Sequence, residues 1–363
     1  MTAPRGLAAT LHDAVALAEV FGPGARIGIG AAERDADIIA PTGAFLTGDE
    51  AGAAVRRGGA GVFLAFGEAA QPAPDVAAPL IELLCHLSGA GFMAACLAAP
   101  WAGRRVFQGH LFEHATLRGN LIQQYSMALD GAVGLVAREV VVAGAGALRK
   151  AVTRLKEQGR TLVLIDAVEE ADCAIVTAAL AGQPLCGGGA WLAARPHAAE
   201  AAAAPAEGPL AILSGALDRE TVLQVGTARA EVPVFDLDFA AEDPAGAALH
   251  WAARQTGERF LISSSMPPDR MMPGAPAAAI LGRIAAGLAD AGVRRFLLTG
   301  GETAAAVLAA SRVTGLTVGA AFGPLRWLHG ASATYCIKPR GVGGKNLFLP
   351  EFEPQIRLNE PAR

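Results

Sequence analysis

The chain has 363 residues, of which 52% are hydrophobic and 18% charged, and its formal charge is −4. That length exceeds what one core usually organises, so two domains are expected, and the composition excludes a disordered chain. With no basic excess there is no field for nucleic acid, and no apolar run is clean enough to suggest a membrane partner. Five dispersed cysteines (Cys85, Cys96, Cys173, Cys186, Cys336) include no C-x-x-C pair. They argue against structural zinc and a disulfide framework and for a reducing cytoplasm. The first residues show no signal-peptide pattern.

In chain order, residues 11–20 have helical periodicity and stop at Phe21-Gly22-Pro23-Gly24. Strands are expected at 26–30, 37–40, 61–66 and 91–97, with helices at 47–57 and 76–87 between them. This alternation predicts an α/β fold, a mainly parallel sheet flanked by helices, with ligands beyond the C-terminal strand ends. Arg104 and Arg105 follow one such end and suit a carboxylate or phosphate, with His110 nearby as an acid or base. Solvated arginines and a packed histidine are the plainer alternative. Residues 115–120 read as polar and exposed. A strand at 135–142 then leads to a helix at 147–158, and a strand at 161–166 to a helix at 169–181. Asp166, ending that strand, either faces a ligand or caps the next helix. The glycines Gly187, Gly188 and Gly189 either allow close packing of the two halves or meet a ligand.

Residues 198–208 are alanine-rich and read as a linker, dividing the chain into domains 1–197 and 209–363. The second half restarts with a strand ending at Ser214-Gly215 and a helix at 219–228. Strands at 232–237 and 259–265 and a helix at 278–291 follow. Then comes the segment that organises the reading: a buried strand, Arg295-Phe296-Leu297-Leu298-Thr299, stops at Gly300-Gly301, and Glu302-Thr303 opens a helix. Glycines there let the backbone approach a ligand, and the orphan amides of a helix start favour phosphate. Thr303 is a candidate cap or phosphate contact and Glu302 a candidate for a ribose hydroxyl or a metal-bound water. A strand at 333–338 runs through Lys338 into a loop containing Gly341, Gly343 and Gly344, a candidate polyphosphate cradle. Residues 346–348 are expected to close a last strand. No P-loop, dinucleotide fingerprint, zinc helix or serine elbow is present.

Taken together, these stretches resemble the four-carbon acid sugar kinase family, which includes 3-oxo-tetronate and threonate kinases. The resemblance runs through Gly103-Arg104-Arg105, Phe107-Gln108-Gly109-His110-Leu111-Phe112, Ile165-Asp166-Ala167 and Gly187-Gly188-Gly189-Ala190. It continues through Ser214-Gly215 with Thr221 and Gln224, Gly300-Gly301-Glu302-Thr303, and Ile337-Lys338 to Gly343-Gly344. It implies an N-terminal domain for the acid sugar, a C-terminal domain for ATP, and a ligand cleft between them. Ser214, Gly300, Gly301, Glu302, Thr303 and Gly343 are then the nucleotide contacts, with Gly215, Lys338, Gly341 and Gly344 beside them. Arg104, Arg105 and His110 would meet the acid, and Mg²⁺ would accompany ATP. A homo-oligomer is left open.

The departures fall mostly in the first half. The family's Ala-Asp-Asp-Phe-Thr-Gly-Ala aligns with residues 8–14, losing both aspartates, and its Lys-Ser-Arg falls on Thr42-Gly43-Ala44. Phosphoryl transfer wants a carboxylate to orient the attacking hydroxyl. Asp13, Glu68 and Asp166 are the candidates. The expectation is an ATP-dependent sugar-acid kinase with a diverged substrate pocket; the rival is an inactive relative that binds nucleotide or metabolite as a regulator.

Overall fold

The computed structural model describes residues 6–350 except 22, 31–35, 43–44, 59–61, 67–73, 114, 182, 184, 194–201, 265–273 and 340–341. The chain divides into two compact units, Met1–Ala199 and Glu200–Arg363.

Unit 1 begins with β1 (Gly6–Ala8), α1 (Leu11–Phe21), β2 (Arg26–Ile29), β3 (Ile38–Ala40), α2 (Gly48–Gly58), β4 (Val62–Ala65), α3 (Pro74–Leu87) and β5 (Met93–Cys96). It continues with β6 (Arg104–Phe107), β7 (His110–Glu113), β8 (Thr116–Asn120), α4 (Leu121–Ala128), β9 (Ala132–Val136), α5 (Arg138–Val142), α6 (Ala145–Glu157), β10 (Arg160–Ile165), α7 (Glu170–Leu180) and β11 (Leu185–Gly188). Its main sheet runs β2-β3-β1-β4-β11-β5-β10-β9, with every pairing parallel. Strands covered on both faces read as unbroken apolar runs, as Met93-Ala94-Ala95-Cys96 does. The glycines of β11 serve packing inside this unit. A Cβ on Gly187 would press on Phe66 and Met93, and one on Gly188, at φ +114, would strike the Cys96 carbonyl.

Two expectations for unit 1 are corrected, and one helix is added to them. Residues 104–120 form a separate antiparallel sheet, β6-β7-β8, where a loop was expected. Its first turn, Gln108-Gly109, has φ values of +49° and +70°, the two-residue turn that suits hairpin twist. Residues 121–128 are helical because Asn120 caps α4, its side chain accepting from the Gln123 amide at 3.0 Å. The strand expected at 135–142 stops at Val136. Residues 138–142 turn helical despite three valines, Arg138 reaching Asp172 at 2.8 Å and Glu169 at 3.1 Å.

Unit 2 comprises β12 (Leu210–Ser214), α8 (Arg219–Ala228), β13 (Val234–Asp236), α9 (Pro244–Ala252), β14 (Arg259–Ser263), α10 (Gly274–Asp290), β15 (Arg295–Thr299), α11 (Gly301–Ala310), β16 (Gly315–Phe322), β17 (Leu325–His329) and β18 (Thr334–Lys338). Parallel strands β13-β14-β12-β15-β18 are extended by β17 and β16, both antiparallel. Neither α9 nor the β16–β17 hairpin was expected. Residues 345–348 form turns instead of a closing strand, and Leu347 and Phe348 enter the core beside Leu210, Leu261 and Trp327. Within the alanine-rich stretch, the Ala203 carbonyl accepts from the Ala320 amide at 2.9 Å and the Ala206 amide donates to Thr334 Oγ1 at 3.3 Å.

Two glycine substitutions separate backbone freedom from packing. Gly159→Ala, at φ +75 with open space around it, is expected to cost about 1 kcal/mol of backbone strain. Gly188→Ala adds a collision with the Cys96 backbone in a central strand and is expected to cost at least about 3 kcal/mol. Urea titration of the two variants checks the gap; equal losses would overturn the packing account.

Candidate functional site: a polar row at the ends of parallel strands

In unit 2 the connection from β12 leads to one side of the sheet, toward β13 and β14. The connection from adjacent β15 leads to the other, toward β16, β17 and β18. Neighbouring strands whose connections diverge leave a crevice at their C-terminal ends. The in-phase register places Ser263, Ser214, Thr299 and Lys338 in one row at that edge. All four are buried, and each follows an apolar residue (Ile262, Leu213, Leu298, Ile337). Ser214 Oγ lies 3.1 Å from Thr299 Oγ1, which accepts from the Ala216 amide at 3.3 Å.

The two glycine turns meet at this crevice. Gly215 donates to the Thr299 carbonyl at 3.3 Å and lies so close to Thr303 Oγ1 that a Cβ there would overlap it. Gly300 has φ +93 and sits opposite Ala216. It is itself the N-cap of α11, without a side-chain cap, so Thr303 does not cap the helix but packs buried one turn in. The first amides of α11 therefore have no intrahelical carbonyl to serve, and the helix dipole favours an anion there. Glu302 is exposed in that first turn.

Lys338, only 1% exposed, runs under α8. Its Nζ donates to Thr221 Oγ1 at 2.8 Å and to the Pro339 carbonyl at 3.2 Å. Thr221 Oγ1 donates in turn to Asp218 Oδ2 at 2.7 Å, while the other oxygen of Asp218 caps α8. Burial pushes the lysine below its ordinary pKa, and the Asp218 and Glu220 charges oppose that shift in part. One turn further along α8, Gln224 donates to the carbonyls of Val342, Gly343 and Gly344. Gly341 lies outside the described residues.

In unit 1 the same divergence of connections occurs between β1 and β4. Asp13 lies there, fully buried, but Oδ2 accepts from the Thr10 amide at 2.9 Å and the Thr10 hydroxyl at 2.6 Å, which makes it a helix-start cap. Asp166 neither opens to a ligand nor caps α7, whose cap is the Glu169–Asp172 box. Its carboxylate reaches across to the hairpin turn, accepting from the Gln108 amide at 2.6 Å and the Gly109 amide at 3.0 Å. Burial raises its pKa, and those amides pull it back. Glu68 lies outside the described residues.

The arginine clamp also needs correction. Arg104 and Arg105 are neighbours on a strand and point to opposite faces, Arg104 buried and Arg105 exposed. His110 has both ring nitrogens engaged, Nδ1 with the Gln108 carbonyl at 2.9 Å and Nε2 with the Asn120 side-chain Nδ2 at 3.3 Å. It holds the turn to the start of α4 and is poorly placed as an acid or base. Thr299 and Ser263 were not anticipated as site residues, although each is a polar residue ending an apolar strand. Thr221 and Gln224 were noted only as part of a resemblance.

A doubly wound nucleotide-type sheet with a polar strand-end row and a glycine-started helix is the class that fold and site define. Comparison with known proteins agrees. The nucleotide-binding C-terminal domain family matches residues 211–348, and the sugar-binding N-terminal domain family matches residues 118–195. A 3-oxo-tetronate kinase of Cupriavidus necator is 32% identical over 320 residues, 76% of this chain and 73% of that one. One from Pseudomonas fluorescens is 31% identical over 316 residues, 74% and 72% of the two chains, and one from Burkholderia multivorans is 29% identical over 308, 73% and 70%. Two solved structures share the fold at 22% identity. A Salmonella typhimurium protein has TM-score 0.79 over 96% of this chain and 99% of that one. A Haemophilus influenzae protein has TM-score 0.72 over 96% and 98%. The chain belongs to the four-carbon acid sugar kinase family. Catalytic inactivity finds no support among these relatives.

Lys338 gives a test of site against scaffold. Its folded pKa lies below its unfolded one, so the unfolded chain binds more protons and stability rises as alkaline pH climbs between the two values. Lys338→Met removes a desolvated charge. Without ligand it is expected to match wild type or gain up to about 1 kcal/mol near neutrality, with the alkaline rise flattened. Denaturant titrations from neutral pH to pH 10 check this; a clear loss of stability would mark Lys338 as scaffold.

Proposed function

We propose that the protein is an ATP-dependent kinase that phosphorylates an alcohol group of a small sugar acid, unit 2 taking the nucleotide and unit 1 the acid. The observation that carries the reading is the row Ser214–Thr299–Lys338 at the divergence of β12 and β15, flanked by two glycine turns and a helix start. Little covalent chemistry is asked of the protein in phosphoryl transfer, so positioning and charge stabilisation dominate. In this reading Ser214, Gly215, Gly300, Gly301 and Thr303 seat phosphate oxygens. Glu302 meets a ribose hydroxyl or a metal-bound water, Gly343 and Gly344 close over the phosphates, and Lys338 offsets their charge.

Among the described residues no group of three or more His, Cys, Asp or Glu is placed to hold a metal ion. Mg²⁺ in such sites rides on the nucleotide with several waters and one or two carboxylates, so a protein cage is not required. The two helix starts supply Asp218 and Glu302 at this edge. The relatives' substrate makes 3-oxo-tetronate the first acid to try, and the altered residues 8–14 and 42–44 make other four-carbon acids the next. Arg105, on the open face of the small sheet, is the cation assigned to the acid. Five cysteines, none of them in a disulfide, suit a cytoplasmic enzyme. No helix among the described residues is long and apolar enough to cross a membrane.

The test is calorimetric titration with ATP–Mg²⁺, followed by a phosphorylation screen over four-carbon sugar acids. Binding with turnover on at least one acid is expected. Gly300→Ala, which puts a side chain at φ +93 opposite Ala216, is expected to weaken ATP at least about tenfold, about 1.4 kcal/mol, while the protein stays folded. A wild-type protein that binds no nucleotide would sink the reading.

A further inference from the structure

Gln224 makes an uncommon set of bonds for one side chain. It is 1% exposed, and its Nε2 donates to three successive carbonyls, Val342 at 3.2 Å, Gly343 at 3.0 Å and Gly344 at 3.1 Å. A trans peptide unit points its C=O and its N–H in opposite directions. Three carbonyls gathered on one amide group therefore turn the next three N–H groups, those of Gly343, Gly344 and Lys345, away from Gln224 and outward from the loop. Consecutive amides presented on one side form an anion-binding concavity. Gly343, at φ +84, supplies the left-handed step that lets the chain curl this way. The other end of the loop is fixed by Leu347 and Phe348, both fully buried.

Three residues before Gln224 on α8, Thr221 accepts from Lys338 and in turn donates to Asp218, the cap of the helix. One helix face thus fixes both the cation and the glycine loop. Gln224 Oε1 is buried and meets no donor among the described residues.

We propose that Gln224 is a positioning residue for nucleotide binding: through the 342–344 carbonyls it holds three loop amides in the orientation that receives phosphate. This rests on the nucleotide reading above and goes beyond it, since Gln224 acts through the loop backbone and does not itself touch the phosphates. The test is ATP affinity of full-length Gln224→Met, which keeps the side chain's bulk and loses its donors. Its Kd for ATP should rise at least about tenfold. Amide exchange at residues 343–345 should quicken in the nucleotide-free protein, with the unfolding midpoint little changed. Gln224→Glu is the second variant and also serves if the first fails to fold. At neutral pH it sets a carboxylate against three carbonyls and should bind as poorly. Affinity should recover in part as pH falls and the protonated carboxyl donates again, a signature that a purely structural role would not give. If wild type binds ATP and both variants bind within about twofold of it, this inference falls while the kinase reading stands. A wild type that binds no nucleotide removes both.

Discussion

Parallel pairing in phase is the constraint on which the nucleotide half depends. Ser214 is level with Thr299, and Thr299 with Lys338, because β12, β15 and β18 run in the same direction with matched register. A one-residue slip would send each of these side chains to the opposite face. The apolar row beneath, Leu213, Leu298 and Ile337, is fully buried and resists such a slip. The polar row therefore inherits its precision from the core below it. The glycine turns follow: with Thr299 fixed, its carbonyl and hydroxyl hold the Gly215 and Ala216 amides, and Gly300 is delivered opposite them.

Much of this architecture was legible because its signals are local. The buried strands at 210–214, 259–263 and 295–299, and the helix at 219–228, stand out as apolar runs or caps, and Gly300-Gly301 announces the start of α11. What could not be read depends on distant partners. Residues 138–142 carry three valines and favour a strand, yet Arg138 is drawn to Asp172, 34 residues away. Asp166 read as facing a ligand or capping the next helix, and instead it accepts from amides 57 and 58 residues earlier. Arg104 and Arg105 looked like a pair only while residues 104–107 were taken for a loop. Once the segment is a strand, alternation separates them.

Unit 1 shows the same logic applied to a hairpin. Gln108 is one of only three non-glycine residues with positive φ among the described residues, a conformation that persists where surroundings over-determine it. Asp166 supplies that determination through two backbone amides, and His110 and the Gly109 carbonyl, which accepts from Leu121, bind the turn to α4. A carboxylate so engaged is a costly structural group. Burial raises its pKa, and the amide bonds to the turn oppose that rise in part.

The polar groups that break the apolar pattern fall into two kinds, and the difference separates scaffold from site. Asp13, Asp166 and Asp172 are buried carboxylates that accept from nearby backbone amides, as structural anions do. Lys338 and Gln224 are less well served by the protein alone. The lysine is bonded to a neutral hydroxyl and a carbonyl, with the Asp218 carboxylate one hydrogen bond further off, and the glutamine keeps a buried acceptor that meets no donor among the described residues. A fold selected only for stability would replace both with apolar side chains of similar volume. Their burial under one helix face, beside amides turned outward and a helix start that favours an anion, makes sense when a polyanion is counted as part of the folded state. On the proposed nucleotide reading, the incomplete solvation of these two groups is the stability cost of a seat for phosphate.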